Sequence, residues 1–217
     1  MKFGVLGTGM VGIEIASKLV ALGQEVRMGA RERTNAKAAA WASGAGDKAG
    51  HGSFADAAAF GSVVFNCIHG VASLAALSAI AAPLRGKILI DVSNPIDYSR
   101  KPPGLTVCGT DSLGEQIQRA LPATKVVKTL NLVGCKAMVD ASYIPGDHDM
   151  FVSGDDAGAK AEVTKILGDW FGWKRVIDLG PLATCRGTEA FTILFHGLWN
   201  VFGTPYVNIQ VAVRPKT

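Results

Sequence analysis

Apolar and polar positions fall into two alternating periodicities along this chain. Lys2–Leu6 is an apolar run of strand length. Met10–Leu22 follows with Val11, Ile15, Leu19 and Leu22 at helical spacing, stopping at Gly23. The couplet then repeats. Strands are expected at Glu25–Met28, Val63–Ile68, Lys87–Val92 and Lys125–Leu130. Helices are expected at Thr34–Trp41, Phe54–Phe60 behind a Ser53 cap, Val71–Ala82, and from Asp111 or Ser112 to near Leu121. The Gly-rich stretch Ser43–Gly52 reads as a loop. Strand Met150–Ser153, helix Asp156–Phe171 and strand Arg175–Asp178 continue the theme. Strands separated by helices argue for parallel βαβ units, because parallel neighbours need a long crossover. After Gly180-Pro181 the texture changes. Thr188–Phe202 is apolar and aromatic and predicts a helix packed on at least two sides, with a terminal strand at Tyr206–Val213. The expected fold is a Rossmann-type, doubly wound α/β sheet, mostly parallel, over residues 1–181. Residues 182–217 form a small helix–strand cap.

Composition narrows the classes. Apolar residues are 48% of the 217 and charged residues 18%, which excludes a disordered chain. A net charge of +4 with no basic stripe gives no footprint for nucleic acid. Four Cys without a CxxC pair give neither a disulfide scaffold nor a zinc site, and suit free thiols in a reducing compartment. No signal-peptide pattern opens the chain, and Val71–Ala82, its most apolar helical stretch, is far short of a membrane span. The expectation is a cytoplasmic protein with neither a membrane nor a nucleic-acid partner.

The strongest motif is Gly7-Thr8-Gly9-Met10-Val11-Gly12, a G-x-G-x-x-G between a strand and a helix. Gly7 permits the tight turn, Gly9 admits a diphosphate to the backbone, and Gly12 lets the helix pack close to the strand. The second strand decides the adenosine end. An NAD site places a carboxylate there to bond the ribose 2′-OH. Here the strand ends Gly29-Ala30-Arg31, and the Arg31 guanidinium suits a 2′-phosphate. Glu32 is the opposing feature, because it can select NAD; the balance of residues favours NADP. Thr34 and Asn35 are further phosphate candidates, and Arg33 reads as a solvated charge.

Ligands of such sheets sit outside the carboxyl ends of the strands. Three loops qualify: Ile68-His69-Gly70, Ser93-Asn94-Pro95 and Leu130-Asn131-Leu132-Val133. His69 is a candidate acid, base or cofactor contact. Asn94 and Asn131 bring amides to the cleft, and Asn131 joins His69 as a weak catalytic candidate. Asp147-His148-Asp149 looks like a metal cluster, but three adjacent residues cannot all face one ion, so no metal site is expected. His196 reads as a core histidine, Lys128 as a paired or exposed strand residue, and His51 as part of a Gly-rich loop. No triad or carboxylate pair is legible, which suits hydride transfer, where positioning carries the rate and the cofactor supplies the chemistry.

Together these segments resemble the NADPH-dependent reductases of coenzyme F420, a 5-deazaflavin. The resemblance includes the glycine motif, Gly29-Ala30-Arg31, Val126-Val127-Lys128-Thr129-Leu130-Asn131, Val152-Ser153-Gly154-Asp155-Asp156, Asp178-Leu179-Gly180-Pro181-Leu182 and Val207-Asn208-Ile209. The fold also looks like the cytoplasmic domain of flavin-dependent metalloreductases, and the N-terminal half is similar to pyrroline-5-carboxylate reductases. The resemblance implies two-electron transfer between NADPH and a deazaflavin or flavin-like small-molecule acceptor, with Asn131 and Val133 near the acceptor. Archaeal members can carry His at the place of Asn131. The helix Phe191–Trp199 would form an acceptor wall or a homodimer contact. Arg186 would meet an acidic acceptor tail or pair with Glu189 or Glu162. Two alternatives stay open: an NADPH-dependent reductase of a small carbonyl or imine, with His69 as proton donor, and a non-catalytic NADP redox sensor.

Overall fold

The computed structural model describes residues 1–214. Eight strands form one sheet: β1 (Lys2–Leu6), β2 (Glu25–Ala30), β3 (Ala49–Ser53), β4 (Val63–Asn66), β5 (Ile88–Asp91), β8 (Lys125–Lys128), β9 (Met150–Gly154) and β10 (Val176–Asp178). Two short strands, β6 (Ile96–Asp97) and β7 (Gly104–Leu105), make a separate antiparallel ribbon. The sheet order is β10-β9-β8-β5-β4-β1-β2-β3. Every neighbouring pair is parallel except β8 with β9. The helices are α1 (Met10–Ala21), α2 (Ala36–Ala45), α3 (Phe54–Phe60), α4 (Gly70–Ser78), α5 (Ala81–Leu84), α6 (Leu113–Ala120), α7 (Cys135–Val139), α8 (Ala157–Asp169) and α9 (Cys185–Phe202). This is the doubly wound Rossmann-type architecture expected from the alternating pattern.

The central strands are apolar on both faces, as strands sandwiched between helix layers must be. Phe3, Val5, Phe65, Ile90 and Val127 point into one core with Ile15 and Leu19 of α1. Leu6, Val64, Leu89 and Val126 point into the other with Leu77, Ile117 and Leu182. Each fully buried Leu, Ile or Phe side chain contributes roughly 1.5–3 kcal/mol. The chain runs β1-β2-β3 to one side and then returns to β4 beside β1. The order of strands therefore reverses between β1 and β4, and the carboxyl ends of strands at such a reversal are where the ligand crevice of this fold lies.

Four expectations are corrected. The stretch Ser43–Gly52 is not all loop: Ala49–Ser53 pairs with β2 as the edge strand β3, and His51 stands exposed on it. Its two glycines hide the pattern, and backbone pairing alone makes the strand. The helix expected over Val71–Ala82 breaks after Ser78 and restarts at Ala81. In an unbroken helix Pro83 would lack the bond to Ala79 and press its ring on that carbonyl. Tyr206–Val213 is not a strand, so the C-terminal cap is a helix and an extended tail. Asp149 takes the tail's backbone instead: its N–H donates to the Ile209 carbonyl at 2.9 Å and its carboxylate accepts from Val211 N at 2.6 Å. Finally, α9 is not enclosed. Cys185, Thr188, Glu189 and Thr192 of its first half are buried, while Ile193, Leu194, Trp199, Val201 and Phe202 of its second half are exposed.

Candidate functional site

The crevice begins at the turn from β1 into α1. Gly7 has φ +125°, and a Cβ there would lie 2.5 Å from the Cys67 carbonyl oxygen. A Cβ at Gly12 would lie 2.1 Å from the Gly7 oxygen. The protein itself therefore demands both glycines. Gly9 differs: a Cβ there meets nothing within 4 Å. Gly9 is also the N-cap of α1, and no side chain caps that end. The first-turn N–H groups, at Met10, Val11 and Gly12, thus face an open backbone concavity with the positive end of a 12-residue helix behind it. This is the arrangement a diphosphate requires. Thr8 is half-buried beside it and Met10 is exposed.

Beside this turn, β2 ends in buried Ala30 and exposed Arg31. Arg31 makes no ion pair among the described residues, and no carboxylate stands at the strand end. Its neighbours are differently employed. Arg33 is not simply solvated: it pairs with Asp56 at 2.6 Å. The Asn35 side chain accepts from Ala38 N at 3.1 Å as the N-cap of α2, so its oxygen is taken. Thr34 is exposed. The fit is to a nucleotide with a phosphate at its adenosine end.

The far side of the crevice is built by the loops after β4, β5 and β8. Ile68 is buried and His69 exposed at the start of α4. A Cβ at Gly70 would fall 1.7 Å from the Asn94 oxygen, so the His69 loop and the Asn94-Pro95 loop touch backbone to backbone. The Asn94 amide donates to the Asn131 carbonyl, and the Asn131 amide donates to Asn94 Oδ1, both at 2.8 Å. The turn into Asn131 uses Leu130 at φ +62°, a conformation most side chains avoid. Val133 is buried in the core shared with α1 and offers packing rather than a polar contact.

One wall residue, Tyr98, carries no signal in the sequence, and a second, His196, departs from its expected place in the core. The ring of Tyr98, on the excursion carrying β6 and β7, lies tilted 5.7 Å from His69 and edge-on 5.8 Å from His196. His196 is half-buried on α9, not a core histidine. Its Nδ1 lies 2.7 Å from the Thr192 carbonyl, which places the proton on Nδ1 and leaves Nε2 to accept from the Tyr98 hydroxyl at 3.4 Å. The sequence held no signal for this pairing, because 98 residues separate the partners.

Beneath the loops lies a buried polar network. The Lys128 ammonium donates to Asp91 Oδ2 at 2.8 Å, to the Ser93 carbonyl at 2.6 Å and to Glu189 Oε1 at 2.7 Å. Burial alone would push Lys128 down, but the Asp91 and Glu189 carboxylates win and hold it above its ordinary value. Asp91 Oδ1 accepts from Asn66 Nδ2, Ser93 N and Ser93 Oγ. Asn66 Oδ1 accepts from Ile68 N, and the Ser73 hydroxyl donates to the Ile68 carbonyl. Glu189 also accepts from Leu113 N at 2.8 Å and Gly114 N at 3.0 Å, joining α9 to the start of α6. Cys185 sits beside it, and burial pushes its thiol up to about 12. Lys128 is paired, as one of its two expected roles, but Glu189 is therefore unavailable to Arg186, which binds Glu115 at 2.8 Å.

The cluster at Asp147-His148-Asp149 is structural. His148 Nε2 lies 3.0 Å from both the Ala141 and Ile144 carbonyls. No group of three or more His, Cys, Asp or Glu among the described residues could hold a metal ion. No helix among them is long and apolar enough to cross a membrane.

With this geometry in place, comparison with known proteins is direct. Residues 2–95 match the family described as NADP oxidoreductase, coenzyme F420-dependent. The F420-dependent NADP reductase of Methanothermobacter thermautotrophicus is 31% identical over 91% of this chain and 89% of that protein. Metalloreductase STEAP3 of Rattus norvegicus is 29% identical over 92% of this chain, which spans only 38% of that protein. A crystal structure of a candidate F420-dependent NADP-reductase from Arthrobacter sp. FB24 superposes with a TM-score of 0.92 at 44% identity, covering 98% of this chain and all of that one. The similarity thus runs through both the glycine turn and the C-terminal helix, and the chain belongs to the coenzyme F420-dependent NADP oxidoreductases, a family that uses NADP and coenzyme F420.

Proposed function

We propose that this chain transfers a hydride between NADP(H), held along the glycine turn and Arg31, and coenzyme F420 or a closely related flavin-like acceptor in the crevice. The observation that carries the reading is the open space at Gly9, on the same side as an Arg31 that makes no ion pair among the described residues: a cradle that the fold does not need for itself. When bound, NADPH supplies the hydride. The first-turn amides of α1 hold the diphosphate, and Arg31 selects the 2′-phosphate. Asn94 and Asn131 brace each other, leaving Asn131 Oδ1 as an acceptor for an N–H edge. His69, Tyr98 and His196 form an aromatic wall beside the crevice. Residues 1–181 act as the nucleotide side and residues 182–217 as the acceptor side, in a cytoplasmic homodimer.

A spectrophotometric assay of NADPH oxidation against F420, FMN, FAD and quinones tests this. The expected outcome is fast turnover with F420 and slow or none with the others. Tight NADPH binding with no turnover of any acceptor would favour a redox sensor. The Tyr98–His196 pair supports a second reading, reduction of a small carbonyl or imine, because that chemistry needs a proton donor. Turnover of imines that is lost in Tyr98→Phe, with F420 inert, would establish it.

Cofactor choice gives a sharper prediction. A charge-assisted hydrogen bond contributes roughly 1.5–3 kcal/mol. Arg31→Ala should therefore weaken NADPH by about tenfold or more while leaving NADH nearly unchanged, as measured by calorimetry. Equal weakening of both would remove Arg31 from the 2′-phosphate.

A further inference from the structure

We infer that Lys128 and Glu189 are positioning residues, which couple the placement of α9 to the backbone of the two loops that carry His69 and Asn94. The inference rests on the crevice being the hydride-transfer site. Its basis is where the buried hydrogen bonds end.

An ammonium has three N–H groups, and Lys128 spends one on the side chain of β5, one on the loop after β5 and one on α9. On the loop side, the network ends on the N–H and the carbonyl of Ile68, and on the N–H and the carbonyl of Ser93. These are the residues immediately before His69 and Asn94. On the helix side, the two Glu189 oxygens take three N–H donors, from Lys128, Leu113 and Gly114. Glu189 is one turn from Thr192, whose carbonyl fixes the His196 ring. One continuous set of bonds therefore joins both nicotinamide-side loops to the aromatic wall.

Stability does not account for this cluster. Two carboxylates and one ammonium are sealed from water, and apolar residues of similar volume commonly serve as well or better. What apolar residues cannot supply is directional fixing of three segments far apart in the chain. Hydride transfer is sensitive to such fixing, because a displacement of about 1 Å can cost about 100-fold in rate.

The test uses two variants of the full chain. Glu189→Gln keeps the shape, but an amide accepts at only one oxygen, so its NH2 must face a backbone N–H or Lys128. Gly114→Ala keeps every charge, but its Cβ would sit 2.9 Å from Cys185 Sγ and displace that thiol from its place between α6 and α9. In both, the NADPH dissociation constant should stay within about twofold while kcat with F420 falls about tenfold or more, with a smaller change in the F420 KM. Hydrogen exchange should quicken at Ile68 and Ser93 as well as at Leu113 and Gly114. The inference is overturned if faster exchange is confined to Leu113, Gly114 and α9. It is equally overturned if NADPH affinity, acceptor KM and melting temperature all worsen in step, as simple loss of structure would produce. If wild-type protein does not turn over F420, the functional reading fails, and the exchange measurement still decides whether the coupling exists. Should Glu189→Gln not fold, Gly114→Ala gives the same decision alone.

Discussion

A methyl group added at Gly12 would lie 2.1 Å from the Gly7 oxygen, whereas one added at Gly9 meets nothing within 4 Å. The same chemical change, three residues apart, should fail in different ways. Gly12→Ala forces α1 away from β1 and should cost about 1–3 kcal/mol, read as a lower melting temperature. Gly9→Ala should melt within about 1 °C of wild type, yet lose most NADPH affinity, because its methyl occupies the space a diphosphate needs. A Gly9→Ala protein that binds NADPH normally would displace the cradle from this turn. At this scale, the sequence announces residues whose role is local. Gly9, Gly12 and the Ser53 cap are set by neighbours in the chain, so spacing reveals them. Lys128, Glu189, Tyr98 and His196 act through partners in distant segments. Lys128, Glu189 and His196 read as ordinary strand or helix residues, and Tyr98 carries no pattern at all, until the fold brings the partner in.

At the scale of elements, α3 shows how a short helix is held. Ser53 accepts from Asp56 N at 3.1 Å, and the Asp56 carboxylate accepts from Ser53 N at 2.8 Å and Ser53 Oγ at 2.7 Å. Such reciprocal capping contributes about 1 kcal/mol. Those bonds from Ser53, with Arg33 adding, hold the Asp56 carboxyl below the usual carboxylate range. A carboxyl lowered by folding contributes stability that is complete above its unfolded value. That contribution is lost as pH falls through the lowered folded value. Asp56→Asn should therefore melt about 2–4 °C below wild type at neutral pH, with the gap closing below about pH 4. A gap independent of pH would assign the effect to geometry rather than charge. The capped helices α3, α6 and α8 were legible because a Ser or Asp stands immediately ahead of each. The strand β3 was not, since backbone pairing to β2 carries it and its residues show no alternation. The tail at Tyr206–Val213 misled in the opposite sense. It has strand-like residues, but the Asp149 carboxylate and the Arg175 guanidinium take backbone groups a strand would have paired.

For the whole molecule, the open question is what covers α9. Its first half is tied down by Glu189 and by Cys185, which reaches Ser112 at 3.2 Å. Its second half runs out past the sheet with Leu194 52%, Val201 77% and Phe202 64% exposed. A lone apolar side chain on a surface needs no explanation, but a run of them on two consecutive helical turns does. A second copy meets the need without a new partner. Two such helices packed about a twofold axis present the same patch to each other, and each would cover what the other exposes. A stable pair must bury about 800 Å² per partner, more than one helical face supplies, so the neighbouring wall at Tyr98 and Val71 must contribute. Light scattering at micromolar concentration should then give twice the mass of the chain. Leu194→Glu with Phe202→Glu should return it to a monomer that still binds NADPH with unchanged affinity, because both side chains are exposed on α9 and neither belongs to the glycine turn or to the end of β2. A wild-type monomer under those conditions would mean that the exposed half of α9 serves the acceptor alone. The charged pair should then raise the acceptor KM without changing the mass.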